Sequence, residues 1–436
     1  MWSLMVLPVG LFLLGFPVYV VLLAASATTL LTIMNVPPLV IHQIVYGGVA
    51  NYALLAVPFF IFAGELMNRC GVSERLVQWV MSLIGHVRGS LGLTTIASST
   101  MLGAVSGSSP ATVAAIGKTL YEPLLRNGYG RPFSLGIITS SGSIAIVVPP
   151  SIAMILYGAS AEQSIPKLFI AGILPGLLIA LLMGLYVLLW VRRQGSTQGS
   201  AQNGVIATEP GAGDRRADVG FATATARASG ALAMPAIVLL GIYLGFFSPT
   251  EAGGVACLYA MLLGRYVYRS VTWRQILEAA SESAFLTGQI LIIVASAAVF
   301  AWILTVQGIP QSLIAWVEAA QLTPVMFLLA INLLLLILGC LIDPTSAILV
   351  LTPILAPIVQ ALGIDLVHFG VIMTVNLSIG MFTPPFGLNI FVAQSVLNAK
   401  ISDIYRGLFG FFVAQVIALL VITYVPELSL YLVETL

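Results

Sequence analysis

Four short stretches gather hydroxyls, glycines and prolines inside otherwise apolar runs. They are Ser106-Gly107-Ser108-Ser109-Pro110, Ser140 to Pro150, Asp343-Pro344-Thr345-Ser346, and Ser378 to Gly387. Proline lacks an amide hydrogen and breaks a helix, so each stretch frees backbone carbonyls. With Ser and Thr hydroxyls, these are hard oxygen ligands of the kind a small cation takes. Amides exposed at half-helix N-termini suit a carboxylate. Asp343 is ionisable within an apolar run and so a functional candidate; the same residue could instead cap the helix at the break. Asn376, within MTVNLSIG, could bind an ion or a solute, or simply bridge helices. For any one break, close packing is the competing reading, because small residues are common where membrane helices approach each other. Four breaks in symmetric pairs favour chemistry.

The elements that hold these breaks are membrane helices. The chain has 436 residues, 59% hydrophobic and 8% charged. A soluble domain carries roughly 25% charged residues, so this composition cannot coat a water-facing surface. A spanning helix needs about 20 apolar residues, and such runs recur from end to end, which favours a helical bundle over a β-barrel. Net charge is +1 and gives no reason to expect nucleic acid. The cysteines (Cys70, Cys257, Cys340) and histidines (His42, His86, His368) are scattered, with no disulfide framework or metal cluster in their spacing. The apolar N-terminus lacks a basic flank and reads as a first span rather than a cleaved signal.

Residues 192–230 interrupt the pattern. They are rich in Gly, Ser, Thr and Ala, and include Arg192, Arg193, Arg215, Arg216 and Arg227. This polar linker divides the chain into halves, and positive loops stay cytoplasmic. The halves resemble each other. Gly71, Leu76, Trp79 and Val80 match Gly308, Leu313, Trp316 and Val317 at an offset of 237. Leu102-Gly103 matches Leu338-Gly339 at 236, and Ser143-Ile144 matches Ser378-Ile379 at 235, as does Pro149-Pro150 with Pro384-Pro385. Arg69, Arg75 and Arg88 precede region 90–130, and Lys118, Arg126 and Arg131 close it, so that region reads as a re-entrant hairpin open to the cytoplasm. Region 323–362 has no basic flank and opens to the other side.

The expected fold is therefore an all-α polytopic membrane protein with an inverted repeat, two re-entrant hairpins and two broken helices. The first repeat covers 1–191, with an arm at 72–86, a hairpin at 90–130 and a broken helix at 132–158. A connecting helix follows the linker at 231–250. The second repeat covers 251–436, with an arm at 309–320, a hairpin at 323–362 and a broken helix at 368–395. Nine full spans are expected, near 3–33, 51–68, 132–158, 168–190, 231–247, 251–264, 284–306, 368–395 and 407–426. A further arm is expected at 270–282. This places the N-terminus inside and the C-terminus outside. Glu65 and Arg69 read as interfacial anchors, Trp79 and Trp316 as anchors of the arms, and Glu251 as a first-turn acid favourable to the helix dipole. Inverted repeats with interrupted helices point to a secondary transporter with its site near the midplane. An intramembrane enzyme would need paired acids or a nucleophile with a base; Asp343 has no second Asp in the membrane, and no His lies near either tip. Paired hairpins also argue for alternating access over an open channel.

VPFFIFAGELMNRCGVSERL (57–76), GAVSGSSPATVAAIG (103–117), VVPPSIAMILYG (147–158), LFIAGILPGLL (168–178), SPTEAGG (248–254) and VNLSIGMFTPPFGLNIFVA (375–393) resemble the large membrane subunit of tripartite ATP-independent periplasmic (TRAP) transporters. The resemblance runs through nearly the whole chain. It implies an elevator-type carrier in a bacterial inner membrane, driven by sodium as coupling ion with no other cofactor. It also implies an organic acid as cargo, such as a C4-dicarboxylate or sugar acid, a periplasmic substrate-binding protein that delivers it, and a small membrane subunit of about four spans. Because residue 1 begins at the large subunit's first span, that subunit is expected on a separate chain. By motif position the sodium sites would use Ser106, Gly107, Ser108 and Ser109 with Ser143 and Pro149, and Asp343, Thr345 and Ser346 with Gly380, Thr383 and Pro384. Substrate would meet Ser108, Ser141, Asp343, Asn376 and Thr383. Many family members carry an acid in the first tip, near where Pro110 to Thr112 stand here. A free-standing dimeric sodium/dicarboxylate carrier of the same architecture is the alternative, which repeat and breaks alone do not separate. The cytoplasmic linker predicts that Gly204→Cys is shielded from an impermeant thiol reagent in intact cells; ready labelling would invert the topology.

Overall fold

The computed structural model describes residues 2–34, 36–85, 87–197 and 221–435. These residues form helices with no strand among them. His86 and most of the predicted linker, including Gly204, lie outside the described residues.

The chain opens with α1 (Trp2–Leu13), α2 (Val18–Thr29), α3 (Pro38–Val49), α4 (Ala56–Arg69) and α5 (Val72–Ile84). The first hairpin is α6 (Ser90–Ser106) and α7 (Ser109–Arg126). The first broken helix is α8 (Arg131–Ser141) and α9 (Ile152–Ser160), followed by α10 (Ile165–Thr197). Two helices connect the halves, α11 (Phe221–Tyr243) and α12 (Pro249–Leu262). The second half runs through α13 (Trp273–Val306), α14 (Ile309–Ala319), α15 (Pro324–Gly339), α16 (Pro344–Ala361), α17 (Leu366–Gly380), α18 (Leu388–Leu397), α19 (Ile401–Tyr424) and α20 (Glu427–Thr435).

The repeat is visible in the helix starts. Residues 72, 90, 109, 131, 152 and 165 are matched by 309, 324, 344, 366, 388 and 401. The offset stays between 234 and 237, as in the amino-acid identities. The two Pro-Pro bonds, Pro149-Pro150 and Pro384-Pro385, are both cis. The halves also exchange partners: α7 packs on α18, and α16 packs on α9.

Within each half a glycine lets the hairpin meet the broken helix. A Cβ on Gly103 would lie 2.5 Å from the Ala145 Cα, and one on Gly380 would lie 2.3 Å from the Gly339 carbonyl carbon. Gly103 and Gly339 are repeat partners, so the same crossing is built twice. A third close approach joins α8 to α19, where Gly136 and Gly407 face each other's backbone. An Arg131–Asp403 ion pair of 3.6 Å closes that contact.

Several predicted spans are not single helices. The predicted first span, 3–33, is broken at Gly15 to Pro17 into α1 and α2. Helix α3 was not foreseen; it is bent by 52° from the segment that runs through α4. The predicted arm 270–282 and span 284–306 merge into the uninterrupted α13. Helix α11 begins at Phe221, inside the stretch read as linker, because Ala- and Thr-rich sequence at 221–231 continues the helix rather than ending it. Among the described residues, α10, α11, α13, α16 and α19 are each long and apolar enough to span alone.

The glycine crossings set a stability prediction. Gly380→Ala forces backbone apart at a packed site and should cost about 1–3 kcal/mol, read as a lower melting temperature in detergent. Gly254→Ala, where a Cβ would meet nothing within 4 Å, should leave it unchanged or raise it; equal melting of the two variants would contradict the crossing.

Candidate functional site

Both hairpin tips open onto one cavity of about 630 Å³. Its wall contains Ser106, Gly107, Ser108 and Ser109 from the first tip, with Asp343, Thr345 and Ser346 from the second. Ile146 and Ile152 from the first break adjoin it, as do Met381 and Leu388 from the second. Two tips from opposite halves of the sequence thus converge on a single chamber, the setting in which irregular backbone is tolerated at membrane depth.

Each tip is shaped by local hydrogen bonds. Gly107 has φ +59°, a left-handed turn that glycine allows cheaply, and a Cβ there would lie 2.9 Å from the Pro150 oxygen. The Ser108 amide donates to Ser106 Oγ at 3.3 Å, and Thr112 Oγ1 donates to the Ser108 carbonyl at 2.9 Å. Ser109 is buried and bonded to Asn389 of α18 at 3.0 and 2.8 Å. Asn389 also donates to the Thr139 carbonyl at 3.1 Å. The first tip is therefore tied directly to the second half's broken helix.

In the second tip Asp343 caps α16. Its Oδ2 accepts from the Ser346 amide at 3.0 Å and its Oδ1 from the Ser346 hydroxyl at 2.6 Å. The same carboxylate lines the cavity, so capping and exposure to the chamber hold together. Glu65 is the other charged side chain on the wall among the described residues. It accepts from Arg69 Nε at 2.7 Å, and Arg69 reaches Glu282 of α13 at 2.6 Å. Glu65 and Arg69, expected as interfacial anchors, pair along α4, and Arg69 cross-links α4 to α13, with Glu65 facing the chamber. Glu251 completes a capping box with Ser248 at the start of α12, as a first-turn acid should.

Other predicted site residues do not line the chamber. Ser143 is buried and donates to the Ser140 carbonyl at 2.7 Å and to Gln415 Oε1 at 3.1 Å. Ser141 pairs with Ser99 at 2.9 Å. Pro149 and Gly380 are buried, Thr383 is half-buried and Pro384 exposed. Asn376 bridges helices: its Nδ2 donates to Asn332 Oδ1 at 2.6 Å, while its own Oδ1 has no protein partner. Trp79 packs on α11 through a 3.1 Å bond to Thr225, whereas Trp316 stays exposed. Sequence reasoning missed Asn389 and Gln415. Gln415 is the one amide side chain in the apolar α19, and that isolation was the available signal; Asn389 shares α18 with Gln394 and had no such mark.

The paired hairpins, broken helices and shared chamber define a polytopic membrane protein of the transporter class. Residues 4–428 match the family model for the DctM component of the tripartite ATP-independent periplasmic transporter, and the chain belongs to that family. It is similar to the C4-dicarboxylate TRAP transporter large permease protein DctM of Pseudomonas aeruginosa, 38% identical over 88% of this chain and 86% of that protein. It is also similar to the isethionate TRAP transporter permease protein DctMQ of Oleidesulfovibrio alaskensis, 36% identical over 96% of this chain and 64% of that protein. The solved Alcanivorax borkumensis YdaH transporter shares the fold, with a TM-score of 0.52, 18% identity and 88% of each chain covered. Its relatives are permeases, not enzymes.

Proposed function

We propose that this chain moves an organic acid across the bacterial inner membrane, inward and coupled to sodium, after delivery by a periplasmic binding protein. The observation that carries the reading is the single chamber where both hairpin tips meet. Carbonyl and hydroxyl oxygens from Ser106 to Ser109 and from Asp343 to Ser346 offer one cation cradle per half, with further oxygens to come from Ser143, Pro149, Gly380, Thr383 and Pro384 in the two helix breaks. An anion between the tips is then held by amides, hydroxyls and the bound ions, since no Lys or Arg lines the chamber among the described residues. Relatives named for a C4-dicarboxylate and for isethionate both carry acids.

The hairpins and broken helices move as a body against a frame that includes α4 and α13, which is an elevator motion. Gly64 of α4 permits this contact: a Cβ there would sit 3.0 Å from the Ser106 backbone. A small membrane subunit braces the frame; the DctMQ relative is longer than this chain, which spans 64% of it. The N-terminus is cytoplasmic and the C-terminus periplasmic.

Two measurements test the reading. The purified protein should melt several degrees higher in NaCl than in KCl, as a ligand of the native state requires. Asp343→Asn and Ser106→Ala should weaken the apparent sodium affinity about tenfold, the loss of one charge-assisted or polar contact. An identical sodium response in both variants removes these residues from the site. Gentle purification through a C-terminal tag should bring down a small membrane protein in equal amount. Recovery of this chain alone as a stable homodimer would instead support a free-standing carrier.

A further inference from the structure

A second cavity, of about 700 Å³, lies apart from the solute chamber at the end of the molecule where α4 gives way to α5. Its wall brings Arg69 and Arg75 together with Arg227 of α11, and with Tyr268 and Ser270 from the turn before α13. Arg69 is already engaged by Glu65 and Glu282. Arg75 is held in one pose: its Nη1 donates to the Cys70 and Gly71 carbonyls at 2.8 and 3.1 Å, and its guanidinium lies 3.7 Å over the Tyr268 ring. Arg227 is exposed and has no acidic partner among the described residues. Glu74 is the one acid on the wall, bonded to Ser73 at 3.0 Å. On the wall itself three guanidiniums meet one carboxylate, and Arg75 and Arg227 are the two with no ion-pair partner among the described residues, a pair that suits the oxygens of one phosphodiester.

The surroundings are apolar on one side. Leu262 at the end of α12, and Tyr266 and Val267 on the turn that supplies the wall, are 47%, 60% and 68% exposed, an apolar surface that suits acyl chains. Arg265, Arg269 and Arg274 belong to the same end of the molecule, the end that the distribution of basic residues assigns to the cytoplasm. Arginine's planar fork matches phosphate oxygens, and basic pockets among membrane helices on that side suit anionic head groups. We propose that this cavity binds the phosphodiester head group of an anionic phospholipid, with Arg75 and Arg227 on the phosphate and the acyl chains along Leu262, Tyr266 and Val267. The site needs no solute and stands whether or not the sodium reading does.

The test titrates the purified full-length protein with short-chain phosphatidylglycerol, phosphatidylcholine of equal chain length, glycerol 1-phosphate and inorganic phosphate, following the melting temperature and the bound mass by native mass spectrometry. Phosphatidylglycerol should stabilise the protein and remain bound, while phosphatidylcholine does neither. The double variant Arg75→Gln, Arg227→Gln should bind it roughly ten- to thirtyfold more weakly, about 1 kcal/mol for each basic residue. Arg126→Gln, on an exposed side chain of α7 outside the cavity, should bind it unchanged. If the double variant does not fold, Arg227→Gln alone carries the test at roughly fivefold. Stabilisation by phosphatidylglycerol but not by the soluble phosphates identifies a lipid site. Equal stabilisation by glycerol 1-phosphate or inorganic phosphate keeps the phosphate chemistry but assigns a soluble ligand. No preference for phosphatidylglycerol over phosphatidylcholine, or an undiminished response in the variants, overturns the proposal.

Discussion

Backbone polar groups have no water to turn to in hydrocarbon, and each one left unsatisfied costs several kcal/mol. That constraint governs this molecule. Its helices stop inside apolar runs, and helices can stop at membrane depth only against protein or a water-filled cavity. Each tip meets the requirement differently. The first uses a left-handed glycine at Gly107 and the Ser106, Ser108 and Thr112 bonds. The second uses one carboxylate, Asp343, which takes two donors from Ser346. Amides from distant helices add to this: Asn389 ties down the first tip at Ser109, and Gln415 bonds Ser143 and the Ser140 carbonyl at the first break.

Close packing makes those arrangements possible. In lipid, helix association relies on van der Waals contact and interhelical hydrogen bonds, so small residues lie where backbones must touch. The repeated crossings at Gly103 with Ala145 and at Gly339 with Gly380 fix each hairpin to its broken helix. The exchange of α7 with α18 and of α16 with α9 then locks one half to the other. The two hairpins thus belong to one packed unit, which meets α4 where Gly64 lies against the Ser106 backbone.

Much of this was legible in the sequence, because a break in an apolar run has few explanations. Both hairpins, both broken helices and the arms at α5 and α14 follow from Gly, Ser and Pro placed at a nearly constant offset. What escaped was of two kinds. Apolar composition does not mark where a long apolar stretch bends, so α1 and α2 were read as one span and α3 was missed. Ion-pair partners lie far apart in sequence: the bridge from Arg69 to Glu282 joins residues of different halves, and only the fold brings them together. Asn376 shows the opposite limit, where one residue type served both readings and the bond to Asn332 favours the helix bridge.

The charges on the chamber wall bear on how the proposed cargo would load. Glu65 shares Arg69 with Glu282, at 2.7 and 2.6 Å, whereas Asp343 has only neutral donors around it. On the proposed function, an anion arriving first would meet that unpaired carboxylate, and one arriving after a cation would meet a neutral or positive wall. Ion first and cargo second would then be the cheaper itinerary on loading, and cargo lost before the ion the matching route on release.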